Sequence, residues 1–539
     1  VKEERMNSIQ LNLHAQAWHA PHARARKWLA SWRPGALGCA TLLALAGCAS
    51  DRQIGPHARL SSGSEQASAL GLQAVPAATL PRPDWWKAYG DPELDRWVEA
   101  ALAGNRDLRG LAARLELARS QAQLVQSATQ PSLSASASVV GQRISENGIF
   151  PPPIAGMVHT VDDIDLVAKL DLDLFGRAAA NSAAARADVL AAADELQGLQ
   201  ARLPGAVAHA YFALARAQRL EHVLNEVVQA RSRFAELEAA RVRAGLDTQV
   251  ERRLAELSVP EAQVQLERVR TDIAMARHLL ALLAGAGPAA ADTVNARLPQ
   301  EHPLALPPAL PLDLLARRPD LAADLARVHA ALHGVEAARA DFYPDVSLNA
   351  LVGLDSLTVQ KLLRTKSRTW QVGPALHLPI FSGGSLRAQL RGASAETDAA
   401  IATYEGHVLA AASQAADALA ALQRIEAERA AQGQATAHAR AALDLATVRA
   451  RAGLGNTLAV LLAQSSELAQ ERAYVELEGR RAALHVDLVQ AMGGGWTATP
   501  PQTQSQSQTQ SQSQSQTQPQ AEALTQAQSQ TSTQTETAR

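Results

Sequence analysis

Cysteine is nearly absent: the 539 residues include only Cys39 and Cys48. Two thiols so placed cannot build a disulfide framework, a cysteine-ligated zinc site or an iron–sulfur cluster. Aromatic residues make up only 4% of the chain, and 51 Lys+Arg against 53 Asp+Glu leave no excess of either charge. That balance argues against nucleic-acid binding, which calls for a basic surplus. Beyond Cys48 no run of 18 uncharged apolar residues occurs, so no transmembrane helix is expected. A chain of this kind that crosses a membrane must do so with strands. Catalytic signatures are missing as well, with no Walker-type loop, no HExxH and no G-x-S-x-G. Gly383-Gly384-Ser385 reads as a strand-to-helix turn rather than an anion site. No catalytic residue, metal or cofactor is expected.

What is present begins with alanine, about one residue in five, which together with leucine suits long helices more than an ordinary compact core. The N-terminus reads as an export signal over residues 1–47. Arg24, Arg26, Lys27 and Arg33 give a basic region, and Ala36 to Ala46 an uncharged, mostly apolar run too short to span a bilayer. Leu45-Ala46-Gly47-Cys48 resembles a bacterial lipobox, which implies cleavage before Cys48 and a covalent lipid on it. Ala49-Ser50 follow without an aspartate, and this resemblance favours the outer membrane. Residues 48–80 read as a lipidated tether, and 497–539, rich in Gln, Ser and Thr, as a disordered tail.

Between these ends the chain is duplicated. Asn105-Arg106-Asp107-Leu108, an Ala/Leu/Arg run and Pro131-Ser132-Leu133-Ser134 return 213 residues later as Arg318-Pro319-Asp320-Leu321 and Pro344-Asp345-Val346-Ser347. Leu174-Phe175-Gly176 pairs with Ile380-Phe381-Ser382 at 206, and Arg243-Ala244-Gly245-Leu246 with Arg451-Ala452-Gly453-Leu454 at 208. The first repeat is placed at 81–288, a proline-rich linker at 289–308 and the second repeat at 309–496.

Each repeat reads helix, strand, strand, long helices. Period-2 alternation predicts strands near 131–142, 162–174, 344–355 and 369–381, the last weakened by Pro374 and Pro379. In the second strand Asp163, Asp165, Asp171 and Asp173 share one face, read as a polar, pore-facing surface that would favour cations. A soluble four-stranded sheet with one buried face would show the same alternation. The helical segments 177–285 and 384–492 decide otherwise: 67 residues from Arg177 to Arg243 would span about 100 Å as one helix. Pro204 and Pro260 are expected to kink or break these helices. Four strands cannot close a barrel, and an open edge is not tolerated in lipid, so the chain must oligomerise, with 8 strands as a dimer or 12 as a trimer.

These landmarks, from about Asp84 to Gly494, resemble the TolC-like outer-membrane factor family, and within it the lipid-anchored NodT-type, OprM-like efflux proteins. The resemblance rests on Trp85-Trp86 with Asp91-Pro92-Glu93-Leu94, on Leu174-Phe175-Gly176-Arg177, and on Arg451 to Thr457 running into Val460-Leu461-Leu462-Ala463-Gln464. It implies a mostly α fold with a transmembrane β-barrel: a homotrimer, 12-stranded, continuous with a long helical periplasmic barrel. It implies docking to a periplasmic adaptor and an inner-membrane pump, as the passive exit duct of a tripartite efflux system. Carried over by position, Gly245, Leu246 and Glu251, with Gly453, Leu454 and Leu458, form the periplasmic tip and gate. Relatives often place an acidic residue where Leu462 stands, so the constriction here would be apolar. A type I protein-secretion duct and a lipid-anchored periplasmic coiled-coil scaffold are the alternatives.

Overall fold

The computed structural model describes residues 80–299 and 316–496, together with 54–61, Glu65, Ser68 and residues 70–71. The signal segment, Cys48, most of the tether, half of the linker and the tail lie outside the described residues. A 3-10 turn at Trp85–Tyr89 precedes α1 (Pro92–Gly104) and α2 (Arg106–Ser127). The strands β1 (Ser132–Arg143) and β2 (Val158–Leu172) follow, then α3 (Arg177–Arg243) and α4 (Gln249–Leu283). The second repeat supplies α5 (Pro319–Ala340), β3 (Asp345–Ser356), β4 (Arg368–His377), α6 (Ser385–Arg451) and α7 (Thr457–Ala491). The repeats match in length: 67 residues in α3 and α6, 35 in α4 and α7, 22 in α2 and α5.

The long helices begin at glycines in the left-handed conformation, Gly176 at φ 78° and Gly384 at φ 89°. These two, 208 apart, are the structural equivalents, rather than the motif alignment at 206. Neither proline breaks its helix, since α3 runs through Pro204 and α4 through Pro260. The lost donor at Pro204 falls where α3 is held by the main core, with Leu203, Val207, Tyr211 and Leu214 buried around it. That core gathers the N-terminal tryptophans, α3 and α7 into a girdle at mid-length, where Tyr211 Oη donates to Asp91 at 2.7 Å. His485 lies buried at the same level, and burial pushes its pKa down to about 4, so it is neutral at physiological pH.

Two segments expected to be loose are packed. Ala291, Val294 and Ala296 of the linker are buried, and Gln218 binds the backbone of Val294 and Ala296 at 2.8 and 2.9 Å. In the tether, the amides of His57 and Ala58 both donate to Asp398 of α6 at 2.8 Å.

The four strands form one antiparallel sheet in chain order. β2 starts four residues before its expected position, and β4 ends at His377, ahead of Pro379. Among the described residues β1 and β4 are unpaired along their outer edges. Registers put Leu133, Ala135, Ala137, Ile164, Leu166, Leu348, Val352, Trp370, Val372 and Leu376 on one face. That face is bare: Trp370 is 74% exposed, and Leu133, Val352, Val372 and Leu376 are exposed with it. The helices align in the order α6, α7, α3, α4, with α2 against α3 and α5 wedged between α3 and α6. Among the described residues none of the helices is long and apolar enough to cross a membrane.

Candidate duct lining and tip

The polar face of the sheet carries the expected acidic residues in an altered arrangement. Asp163 and Asp165 share it with Ser136, Ser138 and Asp355, and Asp355 stands directly opposite Asp163. Ser138 Oγ donates to Asp163 at 2.6 Å, and the carboxylate of Asp165 lies over Gly353, where no side chain stands in its way. Asp171 is on the same face but is ion-paired with Lys169 at 2.9 Å. Asp173 does not belong to this set. It lies beyond the end of β2, and its carboxylate accepts the amides of Ala178 and Ala179 at 3.1 and 2.7 Å. Gly176, the residue at the start of α3, has no side chain to cap it, so Asp173 supplies the missing acceptor. Alternation extrapolated past the strand end assigned it to the wrong surface. Asp355 was missed because β3 carries only two acids, one at each end, where β2 carries several.

At the far end of the helices, two turns reverse the chain in the same way. Gly245 and Gly453 both have φ 71°. Leu246 N–H bonds Arg241 C=O, and Leu454 N–H bonds Arg449 C=O, each at 2.9 Å. This is a Schellman closure, and it requires the left-handed residue that glycine supplies. The next helices are capped by Thr248 and Asn456, which accept the amides of Val250 and Ala459. Glu251, three residues on, accepts the Thr248 hydroxyl and so holds the cap in place. Its visible role is therefore to start α4. Leu246 and Leu454 are exposed at the two turns. Leu458 is half-buried and Leu462 is 55% exposed, whereas Leu461 and Leu468 are the first residues that α7 buries. The second leucine, at least, is not consumed by packing within the chain.

The turns differ in one respect that motif comparison missed. Arg241 grips Asp247 at 2.9 Å and lies 3.6 Å from Glu238, which is almost fully buried. Burial, reinforced by the nearby Asp247 charge, raises the Glu238 pKa, while the hydrogen bond from Arg241 lowers that of Asp247. At the repeat offset of 208, Gly455 replaces Asp247 and Ala446 replaces Glu238, so the second turn has no such lock. The first turn is tied by charge and the second only by backbone and cap.

An amphipathic sheet with a bare apolar face, joined to helices about 100 Å long that reverse at glycine-capped tips, defines a class of membrane-channel subunit with a helical duct. The outer membrane efflux protein family model matches residues 97–286 and 310–494, one segment for each repeat. The chain belongs to this family. It is 37% identical over 369 residues to the fusaric acid resistance protein FusA of Burkholderia cepacia, covering 67% of this chain and 70% of that one. It is 32% identical over 480 residues to the multidrug resistance outer membrane protein MdtP of Escherichia coli K12, covering 86% and 96%. Among solved structures, the outer membrane protein VceC of Vibrio cholerae aligns with a TM-score of 0.68 and 30% identity, over 77% of this chain and 99% of that one. The chain is thus an outer-membrane efflux protein.

Two predictions follow from this geometry. The depressed Asp247 pKa makes its bond to Arg241 fully stabilising above the ordinary aspartate value of about 4, and lost as pH falls through the lowered value. Glu238 has the opposite sign: its protonated form is favoured, and that stabilisation is lost as pH rises through its raised value. Asp247→Gly should raise hydrogen exchange at 244–248, corrected for intrinsic rates, several-fold at pH 7, to the level of 452–456. Glu238→Gln should lower it. Equal exchange at the two turns in the unmodified protein would remove the lock. Separately, neutralising Asp163, Asp165 and Asp355 together should shift single-channel reversal potentials toward lower cation preference. Asp173→Asn should leave them unchanged and weaken the start of α3. No shift in the triple variant would show that these carboxylates do not line the conducting path.

Proposed function

We propose that three copies close a 12-stranded barrel continuous with a helical duct, the passive exit of a tripartite efflux system. The observation that carries this reading is a mismatch between the repeats. In α5, Ala323, Ala326 and Ala337 are buried between α3 and α6. Their equivalents in α2, 213 residues earlier, are Gly110, Ala113 and Leu124, all exposed, Leu124 at 73%. What α5 receives from α6 of its own repeat and α3 of the other, α2 lacks on one side. The missing neighbour is the α6 of another copy, and the same step brings the free edge of that copy's β4 against the β1 of this chain. The bare apolar face then meets lipid. Eight strands would leave an interior just wide enough for side chains, so a duct calls for 12.

In this reading the lipid on Cys48 anchors the assembly to the outer membrane, the helices project into the periplasm, and Leu458 and Leu462 narrow the tip around Gly453 and Leu454. A periplasmic adaptor and an inner-membrane pump supply cargo and energy, and the duct itself performs no catalysis. Small-molecule cargo is favoured over secreted protein because FusA is a fusaric acid resistance protein and MdtP a multidrug resistance protein.

In this reading, repeat equivalence also implies a register between copies. The β2–β3 pairing, carried over by 208 and 213 residues, sets Leu376 of one copy opposite Ala137 of the next, and Pro374 opposite Val139. Both pairs fall apolar against apolar. Leu376→Cys combined with Ala137→Cys should therefore give a disulfide-linked trimer ladder on oxidation in membranes. Leu376→Cys with Val139→Cys, slipped by two residues, should cross-link at least tenfold less. A trimer that links only through the slipped pair would overturn the register. A monomer that links through neither would overturn the assembly.

A further inference from the structure

The end of the sheet remote from the helices carries a feature that conduction does not use. The β3–β4 connection and the first residue of β4 hold Lys361, Arg364, Lys366 and Arg368, and no acidic residue occurs between Ser356 and Trp370. All four side chains are exposed, and among the described residues none has an ion-pair or hydrogen-bond partner. Many arginines on the helices are ion-paired instead, among them Arg96, Arg216, Arg219, Arg270 and Arg429.

The connection is nonetheless a built ledge. Successive turns close it, from Lys361 N–H to Thr358 C=O, Arg364 N–H to Lys361 C=O and Ser367 N–H to Arg364 C=O, each at 3.0 Å. Ser367 Oγ donates to Lys361 C=O at 2.8 Å, and Leu362 is buried beneath. The ledge packs against β2 and β3, which fixes the backbone that carries the cations. Beside them Leu357, Val359 and Leu363 point outward, Leu363 at 81% exposure. Register places Arg368 on the same face as Trp370, Val372 and Leu376, one step beyond the tryptophan. The ledge therefore joins a row of cations to the upper margin of the apolar wall.

We infer that this ledge binds the phosphorylated headgroup of an outer-leaflet glycolipid, with the acyl chains lying on the Trp370–Val372 wall. The inference rests on the proposed orientation, in which the strand connections away from the helices meet the outer leaflet. Guanidinium groups match phosphate oxygens in pairs, and long basic side chains keep their stems on apolar surface while the charge reaches the headgroup layer. Tryptophan at the margin of an apolar belt marks that same layer. A water-soluble anion would satisfy the charges but leave Leu357, Val359 and Leu363 bare, so an amphiphile fits where free phosphate does not.

The test is native mass spectrometry of the detergent-purified full chain, titrated with diphosphorylated lipid A, its dephosphorylated form, or phosphatidylcholine. The protein should retain lipid A at least tenfold better than either of the others. A variant with Lys361, Arg364, Lys366 and Arg368 all changed to Gln should lose that preference, while Arg119→Gln, on α2, should keep it. Oligomeric mass in the same spectra reports whether the variant folds and assembles, which separates failure of the ledge from failure of the trimer reading. Equal retention by the native and four-fold variant proteins would overturn the proposal. Displacement of lipid A by equimolar inorganic phosphate would also do so, since it would identify a simple anion site.

Discussion

Everything in this molecule depends on a sheet that cannot be finished by one chain. Four antiparallel strands leave two edges of unpaired backbone groups and an apolar face with nothing against it. In lipid each unsatisfied amide or carbonyl costs several kcal/mol, so a sheet with that face in hydrocarbon must close on itself. Closure by copies of the chain follows from the ladder. The same constraint organises the helices, because each pair of strands descends into one long and one shorter helix. Where a second repeat exists the small residues of α5 are buried. Where it ends, those of α2 wait exposed.

The duplication also explains the composition. A wall made of helices in a ring has little interior to fill, so alanine replaces large apolar residues, and an aromatic group marks the girdle, where Trp85, Trp86, Tyr89, Tyr211 and Phe212 pack edge to face. The long helices bury narrow stripes, consistent with side chains serving two surfaces, the neighbouring helix and the lumen. Differences between equivalent positions then become informative. Asp247 against Gly455, Asp173 against Phe381, and Leu124 against Ala337 each mark a place where the two repeats of one chain part.

Much of this was legible in the sequence. Period-2 alternation found all four strands, and the glycines at 245 and 453 found the turns, because both signals are local. Four things were not. Asp173 was placed on a strand face because alternation says nothing about where a strand stops, and a glycine helix start borrows its cap from upstream. Pro204 was expected to kink or break α3, but the helix is unbroken there, where the girdle core packs around it, a tertiary effect that no local rule contains. The Arg241–Asp247–Glu238 cluster joins residues on two sides of a turn, and its importance emerges only when the second turn is seen to lack it. The packed segment around Val294 was read as linker because proline-rich sequence does not reveal that Gln218 waits to bind its backbone.

The central claim is that one chain is a third of a conducting duct. The most direct measurement is planar-bilayer conductance of the purified protein together with its mass in the same detergent. The account predicts three copies per particle and discrete, long-lived conductance steps at a protein concentration where only that species is present. A stable monomer, or a trimer that yields no conductance when the tip is loosened by Leu458→Ser and Leu462→Ser, would contradict it.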